Sequence, residues 1–445
     1  MTPSLDQRFA DAMGAALGPD FPSDIGLAVS GGGDSMAMLT LAHNWTHRWG
    51  VRLWVVTVDH GLRPEAAAEA ALVRDTCAEL GWPHATLRWH WDGQGNLMDA
   101  ARRGRLSLIG RWRGGLPAVL FAHTRDDVAE TFLMRLARGS GVDGLSAMAP
   151  VREIRDAAPP APLSEDECCG DRPAGTATDG FRVVRPCLDM GREELRHYLR
   201  VLKGRWVDDP SNEDPHYDRA RIRRLLAELA PQGLGAETLV ATAARMSRAR
   251  EALRARAVAA WHGCGREGVA GDLILERDAF AALEADTRMR LLAAALQYVS
   301  SAEYRPRAAQ LEALLDRLDA GAGGTLHGAE LRCDRAEIRI FREYAAVAGL
   351  RRAVTEGGLW DGRWRVSQPT PSGLEIRALG EDGWRQAAER RAGGPPHAIA
   401  RALPAIWDGE RLVACDALGI GPGGTTRLCP GGIEGQRYPA FLLSH

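Results

Sequence analysis

A short apolar run at residues 25–29 leads straight into Ser30-Gly31-Gly32-Gly33-Asp34-Ser35, and the apolar-rich stretch 36–42 follows without a break. The first run reads as a buried parallel strand, the last as the opening turns of a helix. A strand, a glycine-rich turn and a helix N-terminus form an anion site, because free backbone N–H groups and the helix dipole point at the same spot. The three glycines let the backbone wrap closely around phosphate oxygens. Ser30 and Ser35 add hydroxyl donors. Asp34 would repel bare phosphate, so its presence fits a divalent cation lying between them. The turn lacks the G-K-[ST] ending of a Walker A loop. A glycine turn with a Ser/Asp helix cap is the plainer alternative.

From residue 24 to about 150, strands expected at 25–29, 53–58, 85–89 and 118–122 alternate with helices expected at 35–48, 65–80, 97–113 and 126–138. That alternation implies an α/β fold with a parallel, doubly wound sheet. Ligands of such sheets sit at the carboxyl ends of the strands. Asp59 and His60 close the second strand there, although an Asp turn explains them equally well. Arg102 and Arg105, three apart, share a helix face that is either functional or simply solvated. His123 ends the fourth strand, and Asp126, Asp127 and Glu130 crowd the start of the next helix. A capping box accounts for one of these acids; adjacent aspartates beside a phosphate loop also suit magnesium and its waters. Further on, Trp206-Val207-Asp208-Asp209-Pro210-Ser211-Asn212 reads as a tight turn, and Arg219, Arg221 and Arg223 alternate in a way that fans around a phosphate backbone.

Taken in order, S-G-G-x-D-S resembles the pyrophosphate loop of the N-type ATP pyrophosphatases, which split ATP between its α- and β-phosphates. V-D-H-G-L-R at 58–63, N-x-x-x-x-A-R-x-x-R at 96–105, H-x-x-D-D-x-x-E-T at 123–131, and W-x-D-D-P-S-N followed by R-x-R-x-R resemble one branch of that family, the tRNA(Ile)-lysidine synthetases. Leu106 stands where that branch usually has Tyr, and Ala220 where it often has Asn. The resemblance covers about residues 24–224. It implies ATP-dependent ligation of free L-lysine to carbon-2 of the wobble cytidine in the CAU anticodon of tRNA(Ile), through an adenylated base. It further implies that Ser30, Gly31, Gly32, Gly33, Asp34, Ser35, Asp59, His60 and His123 face ATP. Asp34 with Asp126 or Asp127 would hold Mg2+, and Arg102 would stabilise developing charge. Arg105, Arg138, Arg219, Arg221 and Arg223 would face tRNA. Related enzymes are monomers or dimers, so a homodimer is an open expectation.

Composition narrows the remaining classes. The chain has 445 residues, enough for two or three domains, and its 45% hydrophobic and 26% charged content is ordinary for a globular protein. The net charge of −2 does not announce a nucleic-acid binder, so positive charge must be segregated if RNA is bound. Lys203 is the sole lysine; arginine, whose planar fork grips phosphate bidentately, carries the rest. None of the eight cysteines forms a C-x-x-C pair, which argues against zinc, an iron–sulfur cluster or a disulfide framework. No signal peptide or membrane-spanning run is evident, from which a cytoplasmic location is expected. Expected domains are 1–224 (catalytic, with a loose surface insertion at 155–180 in which Cys168 and Cys169 are incidental), 225–325 (helical, a tRNA contact) and 326–445 (small, β-rich, with Trp360, Trp364, Trp384 and Trp407 in its core). The alternatives are a tRNA-thiolating relative, which would need catalytic or cluster-binding cysteines, an amidating synthetase of small molecules, and a non-catalytic tRNA-binding protein. Asp34, Asp126, Asp127 and Glu130, all present, argue against the last.

Overall fold

The computed structural model describes residues 3–62, 65–155, 161–176, 180–208, 218–356, 358–367, 373–388 and 393–444. Arg63 and Pro64, and residues 209–217 with most of the D-D-P-S-N turn, therefore lie outside the described residues. The chain divides into two compact units, Met1–Arg250 and Glu251–His445.

In the first unit the order is α1 (Leu5–Leu17), β1 (Asp24–Ala28), α2 (Gly33–Trp49), β2 (Arg52–Asp59), α3 (Ala66–Leu80), β3 (His84–Arg88), α4 (Leu97–Trp112), β4 (Ala118–Phe121), α5 (Arg125–Leu136), α6 (Val142–Leu145), β5 (Val151–Arg155), β6 (Cys168–Gly170), β7 (Gly180–Val184), α7 (Arg192–Val201), α8 (Asp218–Leu229) and the start of α9 (Ala236–Cys264). One sheet runs β5-β7-β4-β1-β2-β3-β6. Its five inner strands are parallel, and β5 and β6 pair antiparallel at the edges. The alternation along β2 explains why both faces are covered. Leu53 and Val55 point into a core with Phe9 of α1, Met38 of α2, Val73 of α3 and Leu195 of α7. Val56 points the other way, into a core with Leu108, Ile109 and Trp112 of α4. β1 and β4 lie side by side, so the turns that follow them open at the same rim.

The insertion departs from the expected surface loop. Leu163 and Cys168 are buried in the α4-side core, and β6 pairs with the edge of β3. Cys168 is thus part of the packing, and Cys169 is exposed. Arg111 grips Glu167 with two bonds of 2.6 Å, and that fork holds the Glu167 carboxyl down at about 2. The sequence signal was obscured because a three-residue strand cannot show a period.

The second unit contains β8 (Gly265–Glu267), β9 (Leu273–Glu276), α10 (Arg277–Ala281), α11 (Ala285–Ser300), α12 (Ala308–Asp319), β10 (Gly324–Leu326), β11 (Ala329–Cys333) and β12 (Glu337–Arg342). The five strands form one sheet, β10-β11-β12-β9-β8, packed on α11 and on the closing helix Tyr438–Ser444. Two strands thus fall inside the stretch expected to be helical, and they share a sheet with strands from the stretch expected to be β-rich. Beyond them β13 (Arg351–Ala353), β16 (Glu375–Ala378), β17 (Pro404–Asp408) and β18 (Arg411–Ala414) make a four-stranded sheet; β14 (Leu359–Trp360), β15 (Trp364–Val366) and β19 (Thr426–Leu428) make a three-stranded one. Trp360, Trp364 and Trp407 are buried core residues, with Trp384 packed alongside. Every cysteine is free. Among the described residues no helix is long and apolar enough to cross a membrane.

Candidate active site

The glycine turn sits at the rim as its sequence requires. Ser30 N–H donates to Ser35 Oγ at 3.1 Å, and Ser35 Oγ donates to the Gly32 carbonyl at 2.9 Å, so the two serines tie the turn into a loop. Gly31 has φ +90°, a left-handed conformation that a side chain would resist. Gly32 is the N-cap of α2 and supplies no side-chain acceptor, so the first N–H groups of the helix have no such cap. Val207 N–H donates to the Gly31 carbonyl at 3.0 Å, which lays the segment after α7 against the loop.

Four acids and two guanidinium groups occupy the floor beside it. Thr124 caps α5, and Asp127 Oδ2 accepts from Thr124 N–H at 2.8 Å, completing a capping box. Glu130, one turn further, is 1% exposed. Arg192, at the first turn of α7, reaches Asp34 Oδ2 at 3.3 Å, Asp127 Oδ1 at 3.6 Å and Glu130 Oε1 at 3.0 Å. Arg223 adds a second bond to Glu130 Oε1 at 2.7 Å. Burial pushes the Asp34 carboxyl up to about 6; Arg192 pulls it down, and Asp127 pushes it further up. Burial also works against Asp127, but the Thr124 N–H bond and Arg192 outweigh it and hold that carboxyl below its ordinary range. Asp34 Oδ1 and Glu130 Oε2 are buried with no hydrogen-bond partner. Asp126 Oδ2 accepts from the Arg192 backbone N–H at 2.7 Å, so this oxygen caps the start of α7. Among the described residues no three His, Cys, Asp or Glu side chains converge as metal ligands.

Asp59 accepts from Gly61 N–H at 2.8 Å, the Asp turn considered above. His60 packs edge-on to Trp89 with ring centroids 5.6 Å apart, and burial lowers its imidazole pKa. Trp89 in turn lies across α4 where only a glycine, Gly104, leaves room for the indole. Asn96 caps α4 by accepting from Met98 and Asp99 N–H, each at 3.1 Å. His123 is held down at about 4 by burial, which outweighs the pull of Asp127.

The arginines divide into two groups. Arg138 and Arg221 both pair with Asp218, and Arg223 is committed to Glu130. Arg102, Arg105, Arg135, Arg185, Arg219 and Arg250 have no acidic partner within 4 Å among the described residues. Burial brings Arg105 down to about 10, helped by Arg219 and Arg102; burial does the same for Arg185, helped by Arg152, Arg102 and Arg105. Clustered guanidinium groups without counter-ions are a seat for a polyanion. As their alternation implies, 219, 221 and 223 do not share one face: all three lie on α8, where residues four apart share a face and residues two apart do not. Arg219 and Arg223 share one, and Arg219 and Arg221 are both exposed.

Sequence reasoning missed Arg192, Arg196, Arg185 and the docking of Trp206–Asp208 on the loop. Gly191 before Arg192, followed by Glu194 as capping partner, was a legible helix start. Nothing in the sequence revealed that this helix would end against the glycine turn.

A PP-loop domain model matches residues 5–230. The chain is 41% identical over 428 residues to the tRNA(Ile)-lysidine synthase of Ruegeria pomeroyi, covering 95% of both chains. It is 40% identical over 316 residues to that of a Bradyrhizobium species, covering 68% of this chain and 81% of the relative. Among solved structures, the U34-tRNA thiolase NcsA from Methanococcus maripaludis with its [4Fe-4S] cluster matches at TM-score 0.40 and 15% identity, over 54% of this chain and 79% of that one. The fold and the loop define a PP-loop ATP-using protein. Within that class, the chain belongs to the tRNA(Ile)-lysidine synthase family.

Proposed function

We propose that this protein joins lysine to carbon-2 of the wobble cytidine in the CAU anticodon of tRNA(Ile), at the expense of ATP, so that the tRNA reads AUA in place of AUG. The observation that carries the reading is the end-to-end relationship to a named tRNA(Ile)-lysidine synthase, over 95% of both chains. The geometry supports it: an uncapped glycine turn faces buried acids, with unneutralised arginines alongside.

The cytidine O2 attacks the α-phosphorus of ATP. The bond from that phosphorus to the α–β bridging oxygen breaks, and its electron pair leaves with pyrophosphate. The lysine ε-amine then attacks carbon-2, the carbon–oxygen bond breaks, AMP departs, and the amine loses a proton. No enzyme nucleophile is required; the residues position groups and stabilise charge. The N–H groups of the glycine turn face the β- and γ-phosphates. Asp34, with its unpartnered buried oxygen, and Asp127 suit Mg2+, which takes one or two carboxylates with phosphate and water oxygens. When bound, that ion offsets phosphate charge. Arg102 and Arg105 face the α-phosphate and the base, and Arg219 with its unpaired neighbours receives the anticodon backbone. His60, on Trp89, borders the adenine. The wobble base must leave its stack to reach the site. A cytoplasmic location accords with such a substrate.

Two outcomes follow. The CAU transcript with ATP and no lysine should release pyrophosphate, and the UAU transcript should not; equal release from both would contradict the assignment. Gly104→Ala should displace Trp89 and His60 and raise the KM for ATP about fivefold, since roughly 1 kcal/mol of binding is at stake. The KM for tRNA should be unmoved. An unchanged ATP dependence would remove His60 from the adenine site.

A further inference from the structure

The helix α7 packs on α2 and turns two arginines, Arg192 and Arg196, one turn apart, onto the glycine turn. Arg192 reaches Asp34 at the second residue of α2. The side chain of Arg196 lies over Gly33: a Cβ there would meet Arg196 Cγ at 3.4 Å and Nε at 3.6 Å. Its Nε is buried and has no hydrogen-bond partner. Its terminal nitrogens are held by Asp208, at 2.9 Å, and Glu193, at 3.4 Å. Trp206, whose Cδ1 would lie 3.5 Å from the same Cβ, closes the other side of Gly33. Gly33 thus lies between a guanidinium and an indole, at the first residue of a helix whose N-cap supplies no side chain.

We propose that Arg196, with Arg192 beside it, is the second wall of the pyrophosphate seat, donating to the leaving pyrophosphate from the side opposite the backbone N–H groups. The inference rests on the ATP-using reading of the loop and deepens it. Pyrophosphate gains charge as the α-phosphorus–oxygen bond breaks, because the bridging electron pair stays with it. A guanidinium on that oxygen, delocalised and permanently charged, is worth more in the transition state than in bound ATP. Asp208 and Glu193 keep the fork aimed while the seat is empty, and phosphate oxygens compete for the same nitrogens. Arg192 lies deeper and is shared with Glu130 and Asp127, so Arg196 is the cleaner residue to test.

The experiment is calorimetric titration of the full chain with inorganic pyrophosphate in Mg2+, and separately with AMP. Wild type, Arg196→Gln and Arg196→Lys are compared. Loss of a charge-assisted bond should weaken pyrophosphate about ten- to a hundredfold in R196Q. AMP affinity should stay within twofold of wild type, roughly the scatter of such binding measurements. R196K should recover part of the loss. In turnover, R196Q should lower kcat more than it raises the KM for ATP. Equal pyrophosphate affinity in wild type and R196Q would overturn the proposal. So would equal weakening of AMP and pyrophosphate, which marks a loop that has merely loosened. Failure of wild type to bind pyrophosphate or ATP at all would instead overturn the reading of the loop.

Discussion

Asp34→Asn should abolish lysine transfer and, at pH 7, make the protein more stable. The folded carboxyl titrates near 6 and an unperturbed one near 3.8, so the folded chain holds this proton more tightly than the unfolded chain. The sign is therefore the reverse of a salt-bridged acid. Stability falls as pH rises from about 4 to 6, and at pH 7 the whole cost of the buried charge is present. The difference corresponds to about 2–3 kcal/mol. Asparagine keeps the shape without the charge, and the thermal midpoint of the 1–250 unit should rise by about 5 °C. At pH 4, where Asp34 is protonated, the gain should vanish. A variant less stable than wild type at pH 7 would mean that the ion pair with Arg192 outweighs burial. The cost is tolerated in the native chain because a charged carboxylate is what the site requires.

Glu130→Ala should have the opposite effect. One oxygen of this carboxylate, at 1% exposure, serves both Arg192 and Arg223. Removing it strips two guanidinium groups of a buried counter-ion and leaves a cavity. Breaking such a pair costs about 3–5 kcal/mol. Denaturant unfolding of the 1–250 unit should show that loss in the midpoint. Glu130→Gln, which keeps the volume, should lose less. A loss below about 1 kcal/mol would mean that water or the neighbouring acids rescue the arginines.

How much of this was legible depended on the reach of each signal. The strand–turn–helix at 24–49 was readable because period, glycine and cap residues all fall within one short window. The capping role of Asp127 was visible as a spacing, T-x-x-D, and proved to be one half of its placement; its approach to Arg192 was not visible. The approach of Arg192 and Arg196 to the loop could not be found, because Asp34 and Gly33, which they meet there, lie more than 150 residues away and only the packing of α7 on α2 joins them. The alternation of Arg219, Arg221 and Arg223 was legible, but the commitment of Arg223 to Glu130, 93 residues away, was not. The short strands β6, β8 and β9 have three or four residues each, too few to display any period, so their sheets became evident only from their pairing.

The most direct test of the account is incorporation of radiolabelled lysine into an isoleucine-tRNA transcript bearing CAU, with ATP and Mg2+, beside a UAU transcript and the Asp34→Asn enzyme. The account predicts ATP-dependent label on the CAU transcript alone, with AMP and pyrophosphate formed in equal amounts, and none with Asp34→Asn. Label on neither transcript while ATP is still split to AMP on another tRNA would contradict it, keeping the loop chemistry but assigning a different tRNA modification.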